Sequence, residues 1–205
     1  MSVKLKTLTE VDNRLTFSEH ITQSTRKALG RLRGLYRHRD LLPENAKLQL
    51  IQSLILPVFY YCFPAYSNSI SKGDMQRVQK LQNSAVRFIF NLKRFDHVSP
   101  YRDAVHLPLM ETICKMLTCC MVQKSLALNE PRYLSERFQR REEVAQRGTR
   151  QNRRLHFPRV RSEVGKKSLS YFGPAVFNDL PENLTEIINC KTFKSKLKDL
   201  LYKHE

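Results

Sequence analysis

Residues 71–94 read SKGDMQRVQKLQNSAVRFIFNLKR, and this stretch decides the fold class. Ser71 with Asp74 three residues on resembles a capping box, with Asp where Glu or Gln is more usual. Met75, Val78, Leu81, Ala85, Val86, Ile89 and Leu92 then recur at intervals of three and four, which predicts a helix with one buried side. Lys80, Arg87 and Arg94 share the opposite side, with Arg77 at its edge. No acidic residue falls between Gln76 and Arg94, so this face is basic without internal compensation.

The same pattern recurs upstream. After Ser18, a candidate N-cap, Ile21, Ala28, Leu29, Leu32, Leu35 and Tyr36 fall on one stripe. Arg26, Lys27, Arg31, Arg33 and Arg37 fall on the other, and no acid lies between Arg26 and Arg39. This helix is expected to end near Asp40. Pro43 suits the first turn of the next one, which runs through Leu48, Leu50, Ile51, Leu54 and Ile55 toward a kink at Pro57. Phe59, Tyr60, Tyr61, Phe63 and Tyr66 follow as an aromatic cluster, read as core beside the kink rather than as a base-stacking platform. Lys4 to Thr9 alternates weakly, as in a short strand.

Downstream, Leu109 to Leu128 is apolar nearly all round apart from Lys115 and Lys124, the mark of a central, buried helix. Arg132 to Gly148 is expected to continue as a polar helix. Gln146 to Arg154 holds four arginines in nine residues and reads as a basic loop. Short alternating runs on either side of Gly165, from His156 to Phe172, predict a small β-hairpin. Thr192 to Lys203 closes the chain as an amphipathic helix on Phe193, Leu197, Leu200 and Leu201. The fold expected is mainly α, a helical bundle with one small hairpin near the C-terminus.

The chain has 205 residues, 41% of them hydrophobic, a formal net charge of +17 and a pI of about 10.0. That hydrophobic content suits a folded core. The charge favours a polyanionic partner, with nucleic acid the commonest and an anionic membrane surface the alternative. No stretch approaches the ~20 consecutive apolar residues that span a bilayer, so no membrane partner is expected. Five cysteines are an odd number and no disulfide framework, which points to a reducing, intracellular location, nuclear or cytoplasmic. Cys114, Cys119 and Cys120 with His106 lack zinc-finger spacing and read as core cysteines, so neither metal nor cofactor is expected.

Several strings, taken in order, resemble the region downstream of the polymerase core in jockey-like non-LTR (LINE-type) retrotransposon reverse transcriptases. Residues 11–21, VDNRLTFSEHI, look like the segment that opens the thumb there. Residues 56–62, LPVFYYC, look like its Leu-Pro-x-x-x-Tyr-Cys element. Residues 78–87, VQKLQNSAVR, resemble its Leu-Gln-Asn-x-x-x-Arg helix, and His97-Val98-Ser99-Pro100 and Leu107-Pro108-Leu109 follow in the expected order. Residues 173–181, GPAVFNDLP, resemble Gly-Pro-x-x-Trp-Asn-x-Leu-Pro, with Phe177 at the Trp position, and residues 193–198, FKSKLK, resemble the family's closing element. The resemblance covers about Val11 to Leu201. It implies a thumb-like region over 1–95, a helical C-terminal region over 96–145, the basic loop over 146–155, and the hairpin with its closing helix over 156–205.

The resemblance also implies that the chain is not an enzyme on its own. Reverse transcription needs carboxylates that hold two metal ions, supplied in that family partly by an aromatic-x-Asp-Asp turn. No Asp-Asp pair occurs here. What remains is grip on a template. Phosphate contacts by Lys and Arg give salt-dependent, largely sequence-independent affinity. The candidate contacts are Arg26, Lys27, Arg31, Arg33 and Arg37, then Arg77, Lys80, Arg87 and Arg94, then Arg150, Arg153 and Arg154 of the loop. The loop reads equally well as a nuclear-import address or a solubilising linker. The expected partners are RNA or an RNA–DNA duplex and a reverse transcriptase palm domain, with self-association through exposed apolar surface. A helical scaffold with no nucleic-acid role, or a subunit complementing a separate palm, are the competing readings.

Overall fold

The computed structural model describes residues 11–144 and 152–202, and these divide into two compact units on either side of the Met110–Glu111 boundary. The expected N-terminal strand, with Arg147 and Arg150, lies outside the described residues. Helices dominate both units, and no strand occurs among the described residues.

In the first unit the longest helices are α1 (Ser18–Tyr36) and α5 (Lys72–Ile89). They pack side by side in the same direction, with Thr22 opposite Arg77 and Tyr36 opposite Ser84 and Phe88. α1 buries Ile21, Ser24, Ala28 and Leu32, a spacing of three and four that keeps one stripe inward. Ser18 does not cap it. The cap position is Phe17, held left-handed with φ 55°. The chain is turned into the helix instead by Asp12, whose carboxylate accepts from the Arg14 and Thr16 amides and from the Thr16 hydroxyl. Those bonds, the hydroxyl's foremost, hold the Asp12 carboxyl below its usual range. Ser71 does cap α5, accepting from the Asp74 amide at 3.0 Å.

Between them run α2 (Glu44–Leu50), a π turn (Ile51–Ile55), α3 (Pro57–Tyr60) and α4 (Phe63–Tyr66). The expected kink takes the form of that π turn, which ends at Ile55, two residues before the proline. Pro57 has no N–H to offer the preceding turn, and Arg31 Nη1 donates to one carbonyl there, Leu54 O, at 2.6 Å. Glu44–Tyr66 is long and apolar enough to cross a membrane by length and composition alone. It is not one continuous helix, because Tyr61 is extended and Cys62 left-handed. Phe59, Phe63 and Tyr66 are buried, and the Tyr66 hydroxyl donates to Phe59 O at 2.7 Å, so these aromatics are core. Two glutamines of α5 fasten the chain ahead: Gln82 donates to Pro108 O, and Gln79 Oε1 accepts the Met110 amide. α6 (Ser99–Ala104) lies between, its Tyr101 against Phe90.

The second unit is built on α7 (Met110–Leu128). Its core joins Cys119, Val122, Leu134, Phe138, Leu155, Phe177, Leu184, Phe193 and Leu197. The polar helix expected over Arg132 to Gly148 is, among the described residues, two short turns instead, α8 (Arg132–Ser135) and α9 (Arg141–Val144), because between them the chain pairs with another segment: His156 N donates to Gln139 O and Arg141 N to Arg154 O.

The expected hairpin over 156–172 is absent. Ser162 caps α10 (Glu163–Lys167) by accepting from the Gly165 amide at 3.1 Å, and α11 (Leu169–Asn178) starts directly after Ser168. The short alternating runs are compatible with either period, and the Ser162 cap decides for helix, with the Ser168 hydroxyl donating back to Gly165 O at the end of α10. The single β-type bridge among the described residues lies earlier, between Arg140 and Leu155. On its other side Leu155 is paired by a side chain: its amide donates to Asn178 Oδ1 and its carbonyl accepts from Asn178 Nδ2. Gly173 in α11 sits so close to Val122 and Phe138 that an added Cβ would meet them at 3.0 and 3.1 Å. α12 (Glu182–Thr185) leads to α13 (Cys190–Tyr202), whose Phe193 stacks on Phe177 at 6.1 Å.

Candidate nucleic-acid interface

Along α1, Arg26, Gly30, Arg33 and Arg37 stand at intervals of four, three and four and so share one stripe. All four are exposed. On α5, Arg77, Lys80, Ser84 and Arg87 make the matching stripe. The α1 stripe meets Arg77 of α5 in a groove of about 400 Å³ lined by Thr22, Thr25, Arg26, Leu29, Gly30, Arg33 and Arg77. Gly30 keeps the middle open, since a Cβ built there meets nothing within 4 Å. One acid stands at the edge. Asp74 holds Arg77 in an ion pair at 2.8 Å, while the Arg77 guanidinium also donates to Thr22 Oγ1.

The predicted residues therefore separate by what they touch. Arg26, Lys27, Arg33, Arg37 and Lys80 are exposed and make no ion pair among the described residues. Arg31 is engaged with Leu54 O, and Arg87 donates to Asp96 O at 3.3 Å while its Nε is buried with no acceptor. Arg94 lies over the Phe95 ring. In the second unit, Arg153 is ion-paired with Glu186, and Arg140 donates to Arg153 O, so the foot of the basic loop is tied down; Arg154 is exposed. Arg150 lies outside the described residues.

Two basic residues escape a reading by stripes. Arg39, in the 3₁₀ turn Arg39–Leu41 after α1, and Lys47, on α2, both donate to Asn91 Oδ1, at 2.6 and 2.8 Å. Lys47 is 2% exposed and lies against the face of Phe88. A lysine at the start of an amphipathic helix ordinarily reads as solvated, and only its tertiary neighbours reveal otherwise.

The cysteines are free, with Cys114 and Cys119 buried. Burial pushes the Cys119 thiol up, and Cys120 likewise, so neither has the thiolate character a metal ligand or nucleophile needs. Among the described residues no group of three His, Cys, Asp or Glu is placed to hold a metal ion.

What the arrangement can do is electrostatic. A groove floored by a glycine admits a phosphate backbone close to α1, where Arg26 and Arg33 are free to donate in bidentate fashion, with Arg77, held by Asp74, facing them from α5. No protein-family model, curated protein or solved structure matches the chain, so its chemistry is read from these residues.

Proposed function

We propose that the chain binds RNA or an RNA–DNA duplex through the α1–α5 groove, as a non-catalytic, thumb-like C-terminal piece of a non-LTR reverse transcriptase. The observation that carries the binding is the convergence of Arg26 and Arg33 with Arg77 across the groove, with Asp74 the one acid at its edge. The family assignment rests on the ordered strings of sequence. On this reading the polymerase chemistry belongs to a palm domain elsewhere, and the location is intracellular.

The test is binding of an RNA stem and an RNA–DNA hybrid across a salt series. Affinity should fall steeply with salt. Changing Arg26, Arg33 and Arg37 to Gln should flatten the slope by roughly 0.9 for each phosphate these side chains neutralise. No binding at low salt by a folded chain overturns the proposal. A second reading, a subunit that docks on a separate palm, is favoured by Leu54 and Tyr61, which are 40% and 49% exposed on Glu44–Tyr66. Primer extension that appears only when a palm domain is added supports it, and extension by the chain alone contradicts it.

A further inference from the structure

Arg39 and Lys47 donate to the same oxygen, Asn91 Oδ1, and that acceptor is neutral. Two cations sharing an uncharged acceptor, one of them 2% exposed, is an arrangement that burial penalises unless an anion joins it. No carboxylate does. The ion pairs of the described residues involve neither Arg39, Lys47 nor Arg87. The acids nearest in sequence, Asp40 and Glu44, are both exposed, and the Asp96 carboxylate is engaged with the Lys93 amide at 2.6 Å. Arg87 approaches the same corner. Arg39 lies over the Tyr36 ring at 5.6 Å, and that ring lies 5.2 Å from that of Phe88, the next residue after Arg87 on α5. The Arg87 Nε is buried without an acceptor. Arg39 Nη2 also reaches Leu92 O at 3.5 Å, so the three cations, from the turn after α1, from α2 and from the end of α5, meet only neutral amide and carbonyl oxygens and no formal negative charge among the described residues.

We infer that Arg39, Lys47, Asn91 and Arg87 form a discrete phosphate-binding site at the C-terminal end of α1 and α5. It is separate from the groove at Arg26, Arg33 and Arg77, and inorganic phosphate alone suffices to test it. Asn91 has a left-handed backbone, φ 53°, which Asp tolerates as Asn does. Asn91→Asp therefore supplies the missing carboxylate in place, with almost no change in shape.

The experiment is thermal melting and calorimetric titration of the full chain with inorganic phosphate, against chloride at matched ionic strength. Wild type should be protected saturably. Asn91→Asp should melt higher than wild type without phosphate and bind phosphate roughly tenfold to a hundredfold more weakly, as Arg39→Gln should also. General stabilisation by phosphate as a kosmotrope acts on wild type and variant alike, so an equal response in both overturns the site, as does the lack of saturable binding. A second arm compares one short RNA carrying a 5′-phosphate or a 5′-hydroxyl. Tighter binding of the phosphorylated form, lost in Asn91→Asp, assigns the site to a terminal monoester. Equal binding of both, weakened alike by Asn91→Asp, assigns it to an internal phosphodiester. RNA binding that Asn91→Asp leaves unchanged, with no phosphate binding, overturns this site and leaves the groove standing. Phosphate binding without RNA binding does the reverse.

Discussion

Gly30 and Gly34 stand one turn apart in the C-terminal half of α1, Gly34 in its last turn, and their comparison separates stability from binding. A Cβ at either position meets nothing within 4 Å, and neither glycine has a positive φ. Alanine therefore fits both without strain. Glycine inside a helix is less favourable than alanine by about 0.8–1 kcal/mol, partly through the freedom it gives the unfolded chain. Each substitution should raise the stability of the first unit by about 0.5–1 kcal/mol, read by urea denaturation, and lift its melting point by roughly 4–8 °C per kcal/mol. Binding should split them. Gly30 lines the groove between Arg26 and Arg33, and Gly34 does not. A methyl at Gly30 holds a phosphate off its donors and should weaken RNA binding by about one hydrogen bond, roughly threefold to tenfold. Gly34→Ala should bind as wild type does. The reasoning fails if Gly30→Ala is no more stable than wild type, or if the two alanine variants bind RNA equally.

Arg31→Met should cost about 1 kcal/mol by leaving Leu54 O without its donor, yet leave the salt slope of RNA binding unchanged, whereas Arg33→Gln should lower the slope with little effect on stability. A slope that falls equally for both places Arg31 on the nucleic acid after all. Gly173→Ala should destabilise the second unit by about 1–3 kcal/mol, because its Cβ must displace Val122 and Phe138; a neutral result in chemical denaturation means that α11 can move away without loss. In thiol alkylation of the native chain near neutral pH, exposed Cys62 should react first and Cys119 last, since the raised Cys119 thiol stays protonated throughout that range; rapid labelling of Cys119 contradicts its burial.

The two amphipathic helices and their basic faces are legible from the sequence because their information is local. A period of three and four, a run of arginines without acids, and a Ser–Asp cap at Ser71 need no distant partner to be read. Leu109–Leu128 is legible for the same reason, being apolar almost all round. The stretch from His156 to Phe172 is not, since runs of three or four residues carry no decisive period. There the outcome turns on Ser162 and on Asn178, whose amide takes the place of a pairing strand beside Leu155. The charges divide in the same way. Sequence alone determined that Arg26, Arg31, Arg33 and Arg37 face away from the core stripe. Only the tertiary structure decided that Arg31 turns to a carbonyl left near Pro57, that Arg26 and Arg33 meet Arg77 across a groove, and that Lys47 is buried beside Arg39 on one amide oxygen. A helix's period fixes the direction in which a side chain leaves the backbone. What that side chain meets depends on segments far away in sequence, and for a charge it is the neighbour that determines its use.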